Sequence, residues 1–349
     1  MLMIGSLPLP HPFVQAALSG YSDLPMRRLA RSHGAAYALN EVVLDKSVLQ
    51  PGKLRREILR VADDDHPVGG QLMGAEPELF GRAARDLAQA GYDVIDINFG
   101  CPVRKVLGRC RGGFLLSQPN MALDIIRRVY DAVGAVRPVT VKMRRGADHT
   151  AASERNFLEI LDGAFSIGVA GFPVHGRTVE QRYVGASDWS FLTRVKRRVG
   201  DKVILGSGDL FTAHDCVRMM ETTGIDGVTI ARGCIGNPWI FQECRALWSG
   251  QPLPPPPTIQ QQRETIAEHW RLCLHEYGPA MVGKIMRKFG VKYSEHHPCH
   301  LSVRNAFLSV ASVDDFENVL AEWYSPVGPW PEVRRREGVG DLVAAGACE

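Results

Sequence analysis

The sequence predicts an α/β fold: a (β/α)8 TIM barrel followed by a small all-helical domain. Three observations carry this. Eight short apolar runs recur over about 240 residues with helical stretches between them, more strands than a doubly wound sheet usually has. Polar and glycine-rich insertions follow the runs, where such barrels place their sites. A run of prolines then breaks the alternation, and only helical patterns follow it.

The eight runs are Phe13–Leu18, Ala36–Asn40, Pro67–Met73, Val94–Asn98, Val139–Met143, Val169–Val174, Lys202–Leu205 and Gly227–Ile230. They are short and apolar throughout, as expected of parallel strands buried on both faces. Helices are expected at Glu76–Ala90, Met121–Val133, Ser153–Ile167 and Ala213–Thr223. Glu76-Pro77-Glu78 places a proline and acids in a first turn, while Gly91, Gly168 and Gly224 supply stops. Pro252-Leu253-Pro254-Pro255-Pro256-Pro257 favours a stiff extended connection. The expected division is therefore a barrel domain at 1–250, a linker at 251–257, a helical domain at 258–324 and a loosely ordered tail at 325–349. Within the helical domain the patterns fall at Thr258–Tyr277, Pro279–Glu295, His300–Val310 and Asp314–Trp323.

Composition excludes some functions. Lys+Arg 41 against Asp+Glu 38 gives a net charge of +3, so contact with nucleic acid needs a local basic patch rather than bulk charge. No apolar run approaches membrane-spanning length, and the start of the chain lacks the basic region of a signal peptide. The expected location is cytoplasmic, with eight reduced cysteines and no disulfide framework. No protein partner is implied, and a monomer is expected.

The stretch Asp96-Ile97-Asn98-Phe99-Gly100-Cys101-Pro102 ends an apolar run in a turn that carries a thiol. A lone cysteine is more often inert core than catalyst, but its place after Gly100 at a strand end argues for exposure at the barrel mouth. As residues alone, Cys101 fits a nucleophile, a metal ligand or a proton donor, metal being the weakest reading for want of neighbouring ligands. Lys142 lies inside an apolar strand, where a buried ammonium needs a partner. With Gln71 and His175 at the ends of other strands, it suits a planar, hydrogen-bonding cofactor or substrate. Gly208-Asp209 and Ala231-Arg232-Gly233 follow the seventh and eighth strands, where barrels of this kind bind phosphate through backbone N–H groups. The cluster His296-His297-Pro298-Cys299-His300 has poor spacing for a closed metal site, and no metal is expected.

The helix beginning near Pro279 places Lys284, Arg287, Lys288 and Lys292 on one face and Val282, Ile285, Met286, Phe289 and Tyr293 on the other. A solvated face is the ordinary reading of such a pattern. Five Lys or Arg against one acid between Lys284 and Arg304 turn the reading towards phosphate contacts.

Taken in order, these stretches resemble the tRNA-dihydrouridine synthases, most closely their bacterial B-type branch. The residues concerned are Ala17-Leu18-Ser19-Gly20-Tyr21-Ser22-Asp23 with Pro25 and Arg27, Asp96 to Pro102, Val174-His175-Gly176-Arg177-Thr178, Asn237-Pro238-Trp239-Ile240-Phe241 and Arg287-Lys288. The resemblance runs from about Ile4 to Tyr324. It implies a flavin barrel with a helical domain that helps hold tRNA, and reduction of a D-loop uridine to 5,6-dihydrouridine. FMN reduced by NADPH or NADH would give hydride from its N5 to C6, and Cys101 would protonate C5 as general acid. By the same resemblance Ala17, Leu18, Ser19, Gln71, Lys142 and His175 surround the flavin ring. Ser207, Gly208, Asp209, Ala231 and Arg232 hold its phosphate, and Asn98 and Arg177 approach the base or its phosphate. Lys284, Arg287, Lys288 and Lys292 are expected to contact tRNA.

The chain departs from the family pattern at Ala17-Leu18, where Pro-Met is usual, and at Ser207, Ala231, Leu107 and Phe289. Two other readings fit the residues: a flavin reductase of a small molecule, and a tRNA-binding protein that has lost catalysis.

Overall fold

The computed structural model describes residues 1–333 and 335. Eight parallel strands form a closed barrel: Phe13–Gln15, Tyr37–Leu39, Val68–Met73, Val94–Phe99, Val139–Arg144, Gly171–His175, Val203–Ser207 and Gly227–Ile230. Each pairs with its sequence neighbours, and the eighth pairs with the first, with Val228 opposite Phe13 and Ile230 opposite Gln15. All eight expected runs are strands, and the chain therefore has the TIM-barrel fold. A two-residue strand, Val43–Leu44, adds to the third strand.

An antiparallel hairpin, Leu2–Ile4 with Leu7–Leu9, precedes the barrel. Three-residue strands with a proline inside give little periodicity, and the sequence alone predicts no element there. Gly5 makes the turn at φ +57°, a conformation costly for a residue with a Cβ. Leu2, Ile4 and Leu9 pack with Val14, Tyr37, Leu39, Val94 and Leu205, so the hairpin fills the end of the barrel where the strands begin.

Outer helices include Pro77–Gln89, Pro119–Val133, Ala151–Ile167 and Trp189–Val199. Pro77 occupies the first turn as expected. Thr150 accepts from the Ser153 N–H to start Ala151–Ile167, and Gly168 at φ +118° ends it. Contiguous buried stripes such as Phe157, Ile160, Leu161 and Ala164 hold this layer on the sheet.

The chain forms two compact units. The first comprises Met1–Ser22, Ala36–Asp209 and Cys216–Ala231, and contains the whole barrel. The second comprises Asp23–Ala35, Leu210–Asp215 and the chain from Arg232 onward, so it draws on segments that precede the expected 251–257 linker. Its first helix, Leu24–Ser32, packs on Ile259–Tyr277, and the Tyr277 hydroxyl donates to Asp23 Oδ2 at 2.8 Å. Residues 251–257 carry no helix or strand.

The helices Ile259–Tyr277, Pro279–Tyr293, His300–Leu308 and Val313–Trp323 correspond to the four patterns read from the sequence. Capping boxes at Thr258 with Gln261 and at Ser312 with Asp315 start two of them. Trp270 stacks on Phe316 with ring centroids 3.8 Å apart. Of the expected tail, 325–330 fold back, with Trp330 Nε1 donating to the Ser325 carbonyl at 2.7 Å. Position 334 and positions 336–349 of the expected tail lie outside the described residues. Among the described residues no helix is long and apolar enough to cross a membrane.

Candidate active site

Strand alternation places Asp96 and Asn98 on the face that carries Val94, and parallel register sets Gln71, Asp96 and Thr140 side by side on three neighbouring strands. Asn98 and Lys142 sit opposite one another, two residues nearer the strand ends. The Asp96 carboxylate is fully buried. It accepts from Thr140 Oγ1 at 2.5 Å and from Gln71 Nε2 at 2.7 Å. Gln71 Oε1 accepts from Asn98 Nδ2 at 2.7 Å. Asn98 Oδ1 accepts the N–H groups of Gly100 at 2.9 Å and Cys101 at 3.1 Å. A continuous polar chain thus leads from the barrel interior to the backbone that carries the thiol. Asn40 fixes the other side of Gln71 by accepting its N–H at 2.9 Å.

Cys101 is half-buried and free. Burial pushes its thiol above the ordinary range, against the opposing effects of a Val103 N–H and the Arg144 charge. It is therefore protonated at neutral pH, which suits a proton donor and disfavours a nucleophile that must ionise first. Arg144 holds the loop in place: its Nε donates to the Gly100 carbonyl at 2.9 Å, and its Nη1 donates to the carbonyls of Thr178 at 2.9 Å and Arg182 at 2.6 Å.

Lys142 Nζ is buried without a hydrogen-bond partner. Burial pushes it from 10.5 down to about 8, opposed by Asp96 and reinforced by Arg144. Such a group is costly unless something binds to it. A planar anionic or hydrogen-bond-accepting ring would meet that need, so the chemistry of the residues here fits a flavin. Below pH 8 the lysine is charged in folded and unfolded chains alike, and the difference between 10.5 and about 8 corresponds to a cost of about 3 kcal/mol. That cost falls as pH rises from 8 towards 10.5, where the unfolded lysine is still protonated and the folded one is not. Lys142→Met should therefore stabilise the flavin-free protein by about 3 kcal/mol at pH 7 and by much less at pH 10. Urea unfolding at the two pH values measures it, and an equal or negative effect at pH 7 refutes the reading.

His175 ends the sixth strand, and its Nδ1 accepts the Arg177 N–H at 3.1 Å, leaving Nε2 as the protonated nitrogen. Ala17 and Leu18 are half-buried past the first strand, and Ser19 is exposed. The Leu18 N–H donates to Ser22 Oγ at 2.8 Å, which shapes their turn. Ser207 ends the seventh strand, and Gly208 follows at φ +108°. A side chain at Gly208 would meet Ser187 Oγ at 2.5 Å, so the backbone is bare there for two reasons. Ala231 follows the eighth strand. Arg232 opens a short 3-10 helix, its guanidinium 5.2 Å from the Phe211 ring centre.

Arg177 and Asp209, expected at substrate and at phosphate respectively, bind one another. Both are buried, and Nη2 donates to the two carboxylate oxygens at 2.7 and 2.9 Å. Arg177 Nε donates to the Gly185 carbonyl at 2.8 Å, and the Asp209 carboxylate accepts the Ser187 N–H at 2.7 Å. The pair ties the loop after the sixth strand to the turn after the seventh. Arg177 Nη1 alone has no partner.

In the second unit Lys284 is exposed. Arg287 donates twice to the Val310 carbonyl, at 3.0 and 2.8 Å. The Lys288 ammonium lies 5.0 Å from the Phe289 ring centre, and Lys292 pairs with Glu295 at 3.0 Å. The expected cationic face is thus partly used in packing its own unit. In the histidine cluster, His297 Nδ1 accepts the Cys299 N–H while Nε2 donates to the Trp323 carbonyl at 2.7 Å. Among the described residues no group of three His, Cys, Asp or Glu side chains is arranged to hold a metal.

Asp96 and Thr140 are site residues that the sequence alone does not single out. A signal is present for the first, since a carboxylate inside the apolar run Tyr92 to Ile97 needs partners as much as Lys142 does.

The family profile described as Dihydrouridine synthase (Dus) matches residues 14–325. A protein of Mycobacterium tuberculosis (strain ATCC 25618 / H37Rv) named "Probable tRNA-dihydrouridine synthase" is 33% identical, over 98% of this chain and 90% of its own. Among solved structures, the barrel resembles histamine dehydrogenase from Rhizobium sp. 4-9, at a TM-score of 0.57 and 14% identity. The match covers 78% of this chain and half of that one. It also resembles an old yellow enzyme homologue from Zymomonas mobilis, at a TM-score of 0.53 and 14% identity, covering 73% and 93%. With a family profile and a relative of this identity matched along nearly the whole chain, and Cys101 held at the barrel mouth, this chain belongs to the dihydrouridine synthase family.

Proposed function

We propose that this chain is a tRNA-dihydrouridine synthase of the B-type branch, acting in the cytoplasm on a D-loop uridine with FMN and with NADPH or NADH as reductant. The observation that carries the reading is the hydrogen-bonded line from Asp96 through Gln71 and Asn98 to the Cys101 backbone, beside an unpartnered Lys142 ammonium. A flavin bound here would supply hydride to C6 of the uracil. Lys142 and Gln71 would face its ring, with His175 and the Ala17–Ser19 turn completing the pocket. The Ser207–Asp209 turn and the end of the eighth strand at Ala231 would present N–H groups to its phosphate, with Arg232 next in the chain.

Cys101 would hold the proton that C5 receives, and its raised pKa keeps that proton in place until charge develops on the base. Asn98 retains one Nδ2 hydrogen and Arg177 retains Nη1 for the base or its phosphate. The target uridine must leave its stack to reach a barrel mouth. Lys284, Arg287, Lys288 and Lys292 would supply backbone contacts during that step, Lys284 the most readily because it is exposed.

Two measurements test the reading. The purified protein should be yellow, or become so on adding FMN. Transfer RNA from cells lacking the gene should lose dihydrouridine at one D-loop position and regain it on complementation. A colourless protein that refuses FMN, or an unchanged dihydrouridine content, overturns the proposal.

A further inference from the structure

Buried amides are ambiguous in direction: a glutamine or asparagine side chain can turn over and exchange donor for acceptor with little change of shape. The line from Asp96 to Cys101 holds two such amides in series, Gln71 and Asn98. Its far end is fixed, because the N–H groups of Gly100 and Cys101 can only donate and both bond Asn98 Oδ1. Its near end is fixed by Asp96, whose carboxylate accepts from Thr140 and from Gln71.

We propose that Asp96 is a positioning residue that pins, from the barrel interior, the same direction of hydrogen bonds that the Gly100 and Cys101 N–H groups impose from the loop. An ionised carboxylate accepts only, so Gln71 must turn Nε2 towards it and Oε1 away. Oε1 accepts only, so Asn98 must turn Nδ2 towards it. Oδ1 is then left for the two backbone N–H groups, and the thiol-bearing backbone is held where the strand ends. With either amide reversed, an oxygen would meet an oxygen or a nitrogen would meet two N–H groups, each leaving buried polar atoms unpaired.

Burial raises the Asp96 carboxyl above its ordinary range, opposed by the hydrogen bonds from Thr140 and Gln71 and by the Lys142 charge on the neighbouring strand. The same arrangement orders Gln71 before any flavin binds. The inference deepens the function proposed above and rests on it only for its catalytic consequence.

The test uses the flavin-free protein. An asparagine at 96 can face Gln71 with either its oxygen or its amide, so the line keeps a fixed anchor only at its loop end. Asp96→Asn should speed hydrogen exchange at the Gly100 and Cys101 amides about tenfold or more, with exchange elsewhere in the strand layer unchanged. Adding Gln71→Glu restores an interior anchor by a different route, because an ionised carboxylate at position 71 can only accept and Asn98 must donate to it. The double variant should therefore regain protection at both amides, a non-additive result that ordinary loss of packing does not give.

Unchanged exchange in Asp96→Asn, or a double variant as exposed as the single one, overturns the proposal. Should Asp96→Asn fail to fold, the double variant alone decides, by protection or its absence at the two amides. In the flavin-loaded enzyme, Asp96→Asn should lower kcat about tenfold or more with KM for tRNA unchanged. A wild-type protein without dihydrouridine activity would remove the function proposed above while leaving the exchange result standing.

Discussion

Cys101→Ala should bind flavin and oxidise the nicotinamide nucleotide as the parent does, yet form dihydrouridine more slowly by a factor of about 10² to 10⁴, the usual contribution of a positioned general acid. The reasoning is local. The thiol contributes nothing to the line that runs from Asp96 through Asn98, because Asn98 bonds the Cys101 backbone N–H rather than the side chain. The Cys101 carbonyl that accepts the Gly113 N–H at 3.0 Å is likewise backbone. Alanine therefore keeps the loop and removes only the proton. Cys101→Ser should fall in between, since a hydroxyl occupies the place but releases its proton far less readily. Single-turnover reaction of reduced enzyme with unmodified tRNA measures the step directly. A Cys101→Ala protein that forms product at the parental rate would falsify the assignment of the acid.

The second large effect concerns stability. Asp209→Ala leaves the Arg177 guanidinium, only 4% exposed, without its carboxylate. Breaking a buried pair from one side typically costs about 3 to 5 kcal/mol, because the remaining charge stays desolvated. The midpoint of urea unfolding should fall accordingly, and the loop after the sixth strand should become open to proteolysis near Gly185, whose carbonyl Arg177 also holds. Asp209→Asn, which tolerates the φ of +57° at this position and keeps an oxygen for the Ser187 N–H, should lose less than Asp209→Ala. A single Asp209→Ala variant as stable as the parent shows that water or another group takes the carboxylate's place.

Both effects arise at residues whose partners the sequence shows unequally. The eight strands are legible because strands of a parallel barrel are apolar on both faces, and their ends are legible because glycine and polar residues follow them. Lys142 stands out as an ammonium in an apolar run. Asp96 stands in a similar run, but it opens a motif in which the cysteine is the stronger signal. Its partner Thr140, a β-branched residue common in strands, gives no signal of its own.

Pairing across the fold is the larger obstacle. Arg177 and Asp209 each match a site motif, but nothing in their spacing of thirty-two residues says that they neutralise one another. Arg287 is similar, for its place on a basic stripe is visible in the sequence whereas its two bonds to the Val310 carbonyl are not. Helical periodicity assigns a residue to a face and says nothing of which neighbour lies over it. Leu24–Ser32 escapes the sequence pattern for a related reason: it closely follows the first strand in the chain but packs with Ile259–Tyr277 in the second unit.

The N-terminal hairpin has a consequence for traffic through the barrel. Leu2, Ile4 and Leu9 cover the end where the strands begin, and the barrel's interior is itself packed with side chains, so the site residues can be approached only from the end where the strands stop. Whatever enters must leave by the way it came. Two ligands that need the same mouth cannot be there together, so one must depart before the other arrives.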